Sequence, residues 1–338
     1  MRLKKYVKSF PLILGLLLIC YSGKAQVCEG KIIDSNTLKA VASVNIFLEG
    51  TMICTASNSE GYFSFDTKGF STLPLIIGAI GYKYLKISGN YCKGKLEITL
   101  EPIIYQLSEV TITSGQWSRK KMLRIFKKEF LGDFAVPNQC EIQNEEDINI
   151  SYDSQTKILR ASSINPLFIK NKLLCYEITY ILEDFEKSKQ AVFYKGHYSF
   201  SEFSRINEKQ KQLCENRRKW AYNGSRMHFI RSLWSGYPAS NGFYIYDATE
   251  LKRINVQDIL YISEDGRKYL SLNERLKISY FQPCKFNSDS DFNGTIIIPK
   301  EKYTSIESNG YFDPEVITWY GLMGCQRVSE LLPFEYQP

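Results

Sequence analysis

Between residues 30 and 100 the chain consists of short alternations of apolar and polar residues, separated by glycine, asparagine and serine. The alternation has a period of two and is rich in β-branched and aromatic side chains, which is typical of short antiparallel strands. Because glycine accepts positive φ and asparagine bonds to its local backbone, residues 49–51 and 58–61 predict hairpin loops. The apolar run at 73–80 predicts a strand buried on both faces. Together these elements predict a seven-stranded antiparallel β-sandwich over residues 26–113.

The hydrophobic period changes between residues 118 and 133. Met122, Phe126 and Phe130 recur at four-residue spacing, and Gly132 follows as a C-cap, which predicts an amphipathic helix. Lysine and arginine occupy the opposite face. Such a helix can lie on a membrane surface, but packing against a folded domain with the charges in solvent is the favoured interpretation. We assign residues 114–133 as an amphipathic linker helix.

Residues 134–338 predict a second domain of mixed sheet and helix. Aromatic-rich strands at 173–185 and 190–200 flank a polar turn and predict a hairpin. Apolar residues repeat every seven positions over 207–234 and are interrupted at a glycine, which predicts two helices with Ser225 as the N-cap of the second. Further short strands are predicted at 148–153, 157–163, 243–247, 259–263, 277–281, 294–299 and 303–307. The predicted fold class is therefore mainly β, with an α+β second domain.

The first 25 residues combine a basic start, an apolar run over 10–20 and small residues up to Ala25. This is the pattern of a secretory signal peptide that is cleaved after Ala25. Lipidation at Cys20 is the alternative, and it is disfavoured because Ile19 is not the small residue that normally precedes a lipidated cysteine. The apolar run is too short for a membrane span. We therefore expect an exported protein, periplasmic or associated with the outer membrane, with no transmembrane span after cleavage.

Export also changes the charge of the protein. The whole chain carries a net charge of +7, but five of its basic residues and none of its acidic residues lie in residues 1–25. The remaining chain carries +2 and is nearly neutral. Nucleic acid is therefore not an expected partner.

The sandwich region resembles the carboxypeptidase-regulatory-like family, also called transthyretin-like or prealbumin-like. The matching residues follow the family's order: Gly30, Asp34, Thr37, 42–44, 50–51, 58–63, 80–82, 100–102 and 107–112. The resemblance implies a secreted envelope protein of the type that shares this module with TonB-dependent outer-membrane receptors. The chain after residue 113 is too short for the barrel of those receptors. It resembles instead the uncharacterised region that often follows the module.

The cysteines and histidines do not form a metal-binding pattern. Eight cysteines lie outside the leader, far apart and without a CxxC pair, and the chain has two histidines, so no metal site is expected. Most thiols, Cys54 and Cys175 among them, are interpreted as small buried apolar side chains. Disulfide pairing of some of them stays open, because an exported protein meets oxidising conditions. His197, on one strand face with Lys195, is interpreted as a half-buried sheet residue.

The best candidates for chemistry lie on the second predicted helix. Ser225, His228 and Arg231 are three residues apart and share a helix face. A nucleophilic serine needs an adjacent base and an orienting carboxylate, but the sequence has neither a G-x-S-x-G elbow nor an identifiable acidic partner, so no catalytic residue is assigned. Anion binding by His228 and Arg231, with Trp220 beside them, is the more plausible function. A packed helix with a hydrogen-bonded histidine is favoured over both.

A possible calcium loop lies near the C-terminal third of the chain. Asp289, Asp291 and Asn293 are spaced like the first ligands of an EF-hand, but the twelfth position is Lys300 rather than an acid. The flanking residues also look like strands rather than helices. A polar turn is therefore favoured, and no cofactor is expected.

The sequence contains no glycine-rich phosphate loop, no HExxH motif and no dinucleotide fingerprint, and the zinc ligands of the carboxypeptidases are absent. We therefore expect a non-enzymatic cell-envelope protein, a binding or structural module at the periplasmic or outer-membrane face. An accessory role in outer-membrane uptake of glycans or nutrients is one alternative. A hydrolase with its activity in the C-terminal domain is another. An envelope protein or a glycan is the expected partner.

Overall fold

The computed structural model describes residues 26–89, 91–103, 117–132, 139–272, 274–281 and 294–338. The predicted signal peptide with Cys20 lies outside these described residues, and so does the possible calcium loop with Asp289, Asp291 and Asn293. Among the helices of the described residues, none combines the length and the hydropathy that crossing a membrane requires.

Seven strands form the N-terminal sandwich, which confirms the prediction. They are β1 (Val27–Asp34), β2 (Asn45–Leu48), β3 (Cys54–Ala56), β4 (Tyr62–Asp66), β5 (Leu75–Gly78), β6 (Leu85–Ile87) and β7 (Lys95–Leu100). They form two sheets with the orders β4-β1-β7 and β3-β2-β5-β6. The pairings are antiparallel except that of β1 with β7, which is parallel.

Local sequence explains most of this sandwich. The strand β5 is buried at all four positions, as the apolar run at 73–80 predicts. Gly50 has a φ of 68° and closes the predicted hairpin between β2 and β3. The prediction of a second hairpin at 58–61 is wrong, because β4 pairs with β1 in the other sheet rather than with β3. This turn therefore carries the chain from one sheet to the other.

The helix α1 (Arg119–Leu131) forms as predicted, between the N-cap Ser118 and Gly132. Its buried residues include Met122, Phe126 and Phe130. The ring of Phe130 packs edge-on against Tyr180, with 5.0 Å between the ring centroids. The apolar stripe of the helix is thus buried against a β-sheet, and the stripe belongs to the largest hydrophobic core among the described residues.

That sheet has six strands: β8 (Cys140–Ile142), β9 (Ile148–Asp153), β10 (Ile158–Ser163), β11 (Leu167–Asn171), β12 (Tyr176–Lys187) and β13 (Val192–Glu202). On one side β12 pairs with β11 and, near its end, with β10. On its other side it pairs with β13 over its whole length, as the predicted hairpin requires, with a register shift between Leu182 and Asp184. Within the described part of the chain, β13 forms a ladder with β12 alone.

Two helices follow, α2 (Glu208–Tyr222) and α3 (Arg226–Ser235), as predicted. A disulfide between Cys175 and Cys214 joins the start of β12 to α2. The interpretation of Cys175 as an apolar thiol is therefore wrong, since the fold brings together two cysteines that lie 39 residues apart in the sequence. Cys54 is exposed rather than buried.

The remaining elements form two sheets over α3. They are β14 (Phe243–Asp247), α4 (Val256–Ile259), β15 (Leu260–Ile262), β16 (Lys268–Ser271), β17 (Leu276–Tyr280), β18 (Thr295–Pro299), β19 (Tyr303–Ile306) and β20 (Ile317–Gly321). The sheet orders are β14-β17-β18-β20 and β15-β16-β19. Phe229, Ile230 and Leu233 of α3 fill the core between them.

The sandwich packs on the six-stranded sheet through a small apolar cluster. Phe47 of β2 and Ile76 of β5 contact Ile181 of β12 there. The C-terminal segment is attached at the same junction, because the amide of Phe334 donates to the carbonyl oxygen of Gly50 at 2.9 Å. This junction holds the candidate site.

Candidate functional site

A cavity of about 370 Å³ lies where the sandwich, the six-stranded sheet and the C-terminal segment meet. Every residue from Val192 to Tyr198, along the first part of β13, lines it. The turn after β2 contributes Glu49, the start of α3 contributes Arg226, and the segment before β20 contributes Glu315. Because residues distant in sequence converge on one concave surface, this cavity is the candidate functional site.

The turn after β2 is held against the outer edge of β13 by backbone hydrogen bonds. The amide of Gly50 donates to the carbonyl oxygen of Tyr198 at 2.8 Å, and the amide of Phe200 donates to the carbonyl oxygen of Thr51 at 2.9 Å. The amide of Tyr198 donates to Oε1 of Glu49 at 3.1 Å. The sandwich therefore covers one end of this edge and places a carboxylate at the cavity.

A chain of alternating charges crosses the cavity wall. Nδ1 of His197 lies 2.6 Å from Oε2 of Glu49, and Nε2 of His197 lies 3.3 Å from Oε1 of Glu183. Nζ of Lys195 lies 3.6 Å from Oε2 of Glu183 and 2.9 Å from Oε1 of Glu315. We call these five residues the charge chain. It joins a turn of the sandwich, two strands of the six-stranded sheet and the segment before β20.

The contacts within the charge chain shift the pKa values of His197, Glu183, Lys195 and Glu315. Burial by itself lowers the pKa of His197, but hydrogen bonds to Glu183 and Glu49, together with their negative charges, raise it to about 9. The hydrogen bond from His197 lowers the pKa of Glu183. The hydrogen bond between Lys195 and Glu315 raises the pKa of the lysine and lowers that of the carboxyl group. At neutral pH His197 is an imidazolium, which cannot act as a general base.

Tyrosine side chains supply neutral polar groups to the same cavity. Tyr180, Tyr194, Tyr198 and Tyr311 line it, and within the described residues none of the four hydroxyl groups has a hydrogen-bond partner. Burial raises the pKa of Tyr180, Tyr198 and Tyr311, so these hydroxyl groups stay protonated. Trp319 also lines the cavity, and its buried Nε1 has no partner among the described residues. These groups can donate to a bound molecule.

The structure gives the residues predicted on α3 mainly local roles. The hydroxyl of Ser225 accepts from the amide of His228 at 3.1 Å, which is the predicted N-cap. Nδ1 of the buried His228 accepts from the amide of Gly224 at 3.2 Å, and its ring stacks on Tyr222. A base directed at the hydroxyl of Ser225 would require a different arrangement, because both side chains bond to the backbone here.

The other two predicted binding residues lie apart from the cavity lining that the structure describes. Arg231 donates to the carbonyl oxygens of Asn309, Tyr336 and Phe334 at 2.9, 2.8 and 3.1 Å. Trp220 is partly buried against the largest core. A binding role of Trp220, His228 and Arg231 stays a prediction.

Sequence reasoning missed the partners of His197. The side chain is buried, rather than half-buried as predicted, and it contacts Glu49, which is 148 residues away in the chain. The contact with Glu183 could have been predicted from the sequence, because the register of the predicted hairpin places Glu183 near Lys195 on the adjacent strand. Nothing local to Glu49 or Glu315 signals that they meet this face.

Comparisons with known proteins agree with the N-terminal fold. Residues 28–112 match the family model of the CarboxypepD_reg-like domain. The sandwich is therefore a CarboxypepD_reg-like domain, and the chain is a β-rich protein that joins it to a region of mixed sheet and helix. No curated protein matches the chain.

One similar crystal structure is that of a protein of unknown function, with a suggested membrane association, from Bacteroides fragilis NCTC 9343. The two sequences are 10% identical, and the alignment covers 85% of this chain and 91% of that one, with a TM-score of 0.18. At this TM-score the resemblance carries no argument about function.

Proposed function

We propose that this protein is a non-enzymatic binding module of the cell envelope, and that its ligand occupies the cavity along β13. The observation that carries the proposal is a set of hydrogen-bonding groups that have no partner among the described residues and that converge there, the hydroxyl groups of Tyr194 and Tyr311 among them. A cavity on which several hydrogen-bond donors converge favours a polar ligand, because those donors can fix its orientation.

The charges of the cavity favour binding over catalysis. The imidazolium of His197 is bonded at both nitrogens to carboxylates, so it has no free nitrogen to accept a proton. Lys195 is bonded to two carboxylates and is not a free nucleophile. Neither side chain therefore supplies the base that the hydrolase alternative needs, and Ser225, which lines the cavity, serves as a helix cap.

The envelope location in this proposal rests on the leader pattern of residues 1–25 and on the CarboxypepD_reg-like domain at 28–112. A leader with a basic start, an apolar centre and small residues at its end directs export. Uptake of glycans or nutrients is a second candidate, because tyrosine and tryptophan groups in one cavity suit the hydroxyl groups and apolar faces of a sugar.

The test is retention of ligand from envelope extract. The protein beginning at Gln26 is immobilised, and bound proteins and glycans are identified by mass spectrometry. The variant Tyr311→Phe removes one hydroxyl group from the cavity, and Tyr303→Phe removes an exposed one from β19 as the matched control. We expect a retained partner or glycan that Tyr311→Phe weakens several-fold and Tyr303→Phe does not. Equal retention by both variants would contradict a ligand in this cavity.

A further inference from the structure

The outer edge of β13 carries backbone groups that no other strand of the described residues uses. Antiparallel pairing directs the N–H and C=O groups of alternate residues to the same edge. Tyr198 and Phe200 direct theirs outward, to the turn after β2. By the same alternation Val192, Tyr194 and Gly196 direct theirs outward, and within the described residues nothing bonds to those groups. We call these three residues the open edge.

The open edge lies inside the cavity rather than on the outer surface, since all three of its residues belong to the cavity lining. At a rise of about 3.3 Å per residue, the distance from Val192 to Gly196 is about 13 Å. An extended segment of roughly five residues covers that length. Exposed edges of this kind are templates for the addition of a strand.

The protein already adds backbone to the neighbouring part of this edge. Gly50 and Thr51 form two backbone hydrogen bonds with Tyr198 and Phe200. The pairing stops at the point where the cavity begins. A bound peptide would form the same kind of backbone hydrogen bonds with the next part of the edge, from Gly196 to Val192.

We propose that the ligand is an extended peptide that adds as a strand to the open edge of β13, an inference that rests on the proposed binding function. Main-chain hydrogen bonds to the edge provide the affinity, and pockets for alternate side chains provide the specificity. Backbone groups in a row match another backbone better than they match a glycan, because the donors and acceptors of a strand repeat at the same spacing.

The two faces of β13 define the side chains of this peptide. Lys195 and His197 lie on one face and Tyr194 and Tyr198 on the other, because strand side chains alternate. The peptide therefore places one set of alternate side chains against the charged groups and the other set against the tyrosines. Its polar side chains are acidic, because Lys86 and Lys300 line the cavity with no carboxylate within 4 Å among the described residues.

The experiment selects heptapeptides from a random display library on the immobilised protein beginning at Gln26. The best binder is then synthesised as a series in which one residue at a time carries an N-methyl group. We expect the Kd to rise at least ten-fold at alternate positions and to change little at the positions between. We also expect Asp or Glu on one face of the selected peptides. Failure to select a binder, or N-methyl effects without a period of two, would overturn the proposal.

A variant of the protein checks the site. Val192→Pro removes one outward N–H at the first residue of the edge strand, a position where proline is tolerated, and Val192→Thr keeps it as the control. We expect weaker peptide binding for the proline variant alone, with thermal unfolding unchanged in both. The protein could retain a glycan or an envelope protein in the Tyr311→Phe experiment and yet bind no peptide. That result overturns the inference of a peptide ligand and leaves the proposed binding function standing.

Discussion

His197 is a buried imidazole held between Glu49 of the sandwich and Glu183 of the adjacent strand. Two carboxylates around one ring are favourable only while the ring is protonated, because neutral imidazole cannot donate from both nitrogens. The contact between His197 and Glu49, which helps to hold the sandwich in place, therefore depends on the protonation of the His197 ring. The contacts with the two carboxylates raise the pKa of His197, so protonation of this ring stabilises the folded protein.

The stability of the protein should fall at alkaline pH. The folded pKa of His197, about 9, is above the value of 6.5 for a free histidine. The contribution of His197 to the free energy of unfolding is therefore complete below pH 6.5 and is lost as the pH rises through 9. This contribution is about 3 kcal/mol. Urea unfolding at pH 6 and pH 10 measures the fall in the free energy of unfolding. The variant His197→Gln is the reference, because it has no imidazole to titrate. An equal pH dependence in both proteins would contradict this assignment.

Gly196 is a second residue whose identity the packing requires. A Cβ atom there would overlap the carbonyl oxygen of Ile181 and would lie 2.6 Å from the ring of Tyr180. We expect Gly196→Ala to lower the free energy of unfolding by about 1–3 kcal/mol, because the backbone of β12 cannot move away cheaply. Gly94→Ala, whose Cβ meets nothing within 4 Å, is the control and should change it by less than about 0.5 kcal/mol. Urea denaturation of both variants measures these changes, and equal changes in the two would contradict the steric role of Gly196.

At the scale of elements, the cavity depends on how the C-terminal segment is held. Met52 donates from its amide to Oε1 of Glu335 at 2.7 Å, and Phe334 donates to Gly50. Arg231 of α3 binds the carbonyl oxygens of Phe334 and Tyr336 from the other side. The segment is therefore clamped between the sandwich and α3, and it closes one end of the cavity.

Removing the guanidinium of that clamp should release the segment. Arg231→Met leaves three carbonyl oxygens without their charged donor, which should cost about 2–4 kcal/mol. Hydrogen exchange of residues 333–338 should become faster, and urea unfolding should shift accordingly. Arg267→Met removes an arginine whose side chain is 67% exposed and is the matched control. Unchanged exchange at 333–338 in Arg231→Met would refute the clamp.

The disulfide between β12 and α2 should contribute to stability as well. It closes a loop with a sequence separation of 39, so its removal in Cys214→Ser should cost about 2–4 kcal/mol. Cys54→Ser changes an exposed thiol and should leave the thermal midpoint nearly unchanged. Mass spectrometry of alkylated, unreduced peptides tests the pairing directly. Labelling of both Cys175 and Cys214 in that sample would exclude it.

At the scale of the whole molecule, the sandwich is more than an appended domain. Its β2 turn supplies Glu49 to the charge chain and backbone groups to the edge of β13. Phe47 and Ile76 pack on Ile181 of the six-stranded sheet. The site therefore requires the sandwich and the following region to be folded against each other.

Export is the prediction that belongs to this scale. Cleavage after Ala25 should leave a protein that begins at Gln26 and carries a net charge of +2. Intact-mass measurement of the protein from the envelope fraction checks the new N-terminus. A full-length chain that remains in the cytosol would contradict the leader assignment, and a lipid-modified Cys20 would replace it with the lipoprotein alternative.

The sequence by itself determined the elements that depend on neighbouring residues. The alternation in β2 and β12, the four-residue spacing in α1 and the cap at Ser225 are local patterns, because burial of one face imposes a period on adjacent positions. The motifs at 28–112 also identified the sandwich family. Local pattern did not identify the partner of β4, since the turn at 58–61 suits both a hairpin and a crossing between sheets.

Only the tertiary structure decided which distant side chains meet. Glu49 reaches His197 and Cys175 reaches Cys214 through the packing of whole sheets and helices. No periodicity records such a contact, because it depends on how separately formed layers are stacked. The same stacking leaves the outer edge of β13 open within a cavity, which is where we propose that the ligand binds.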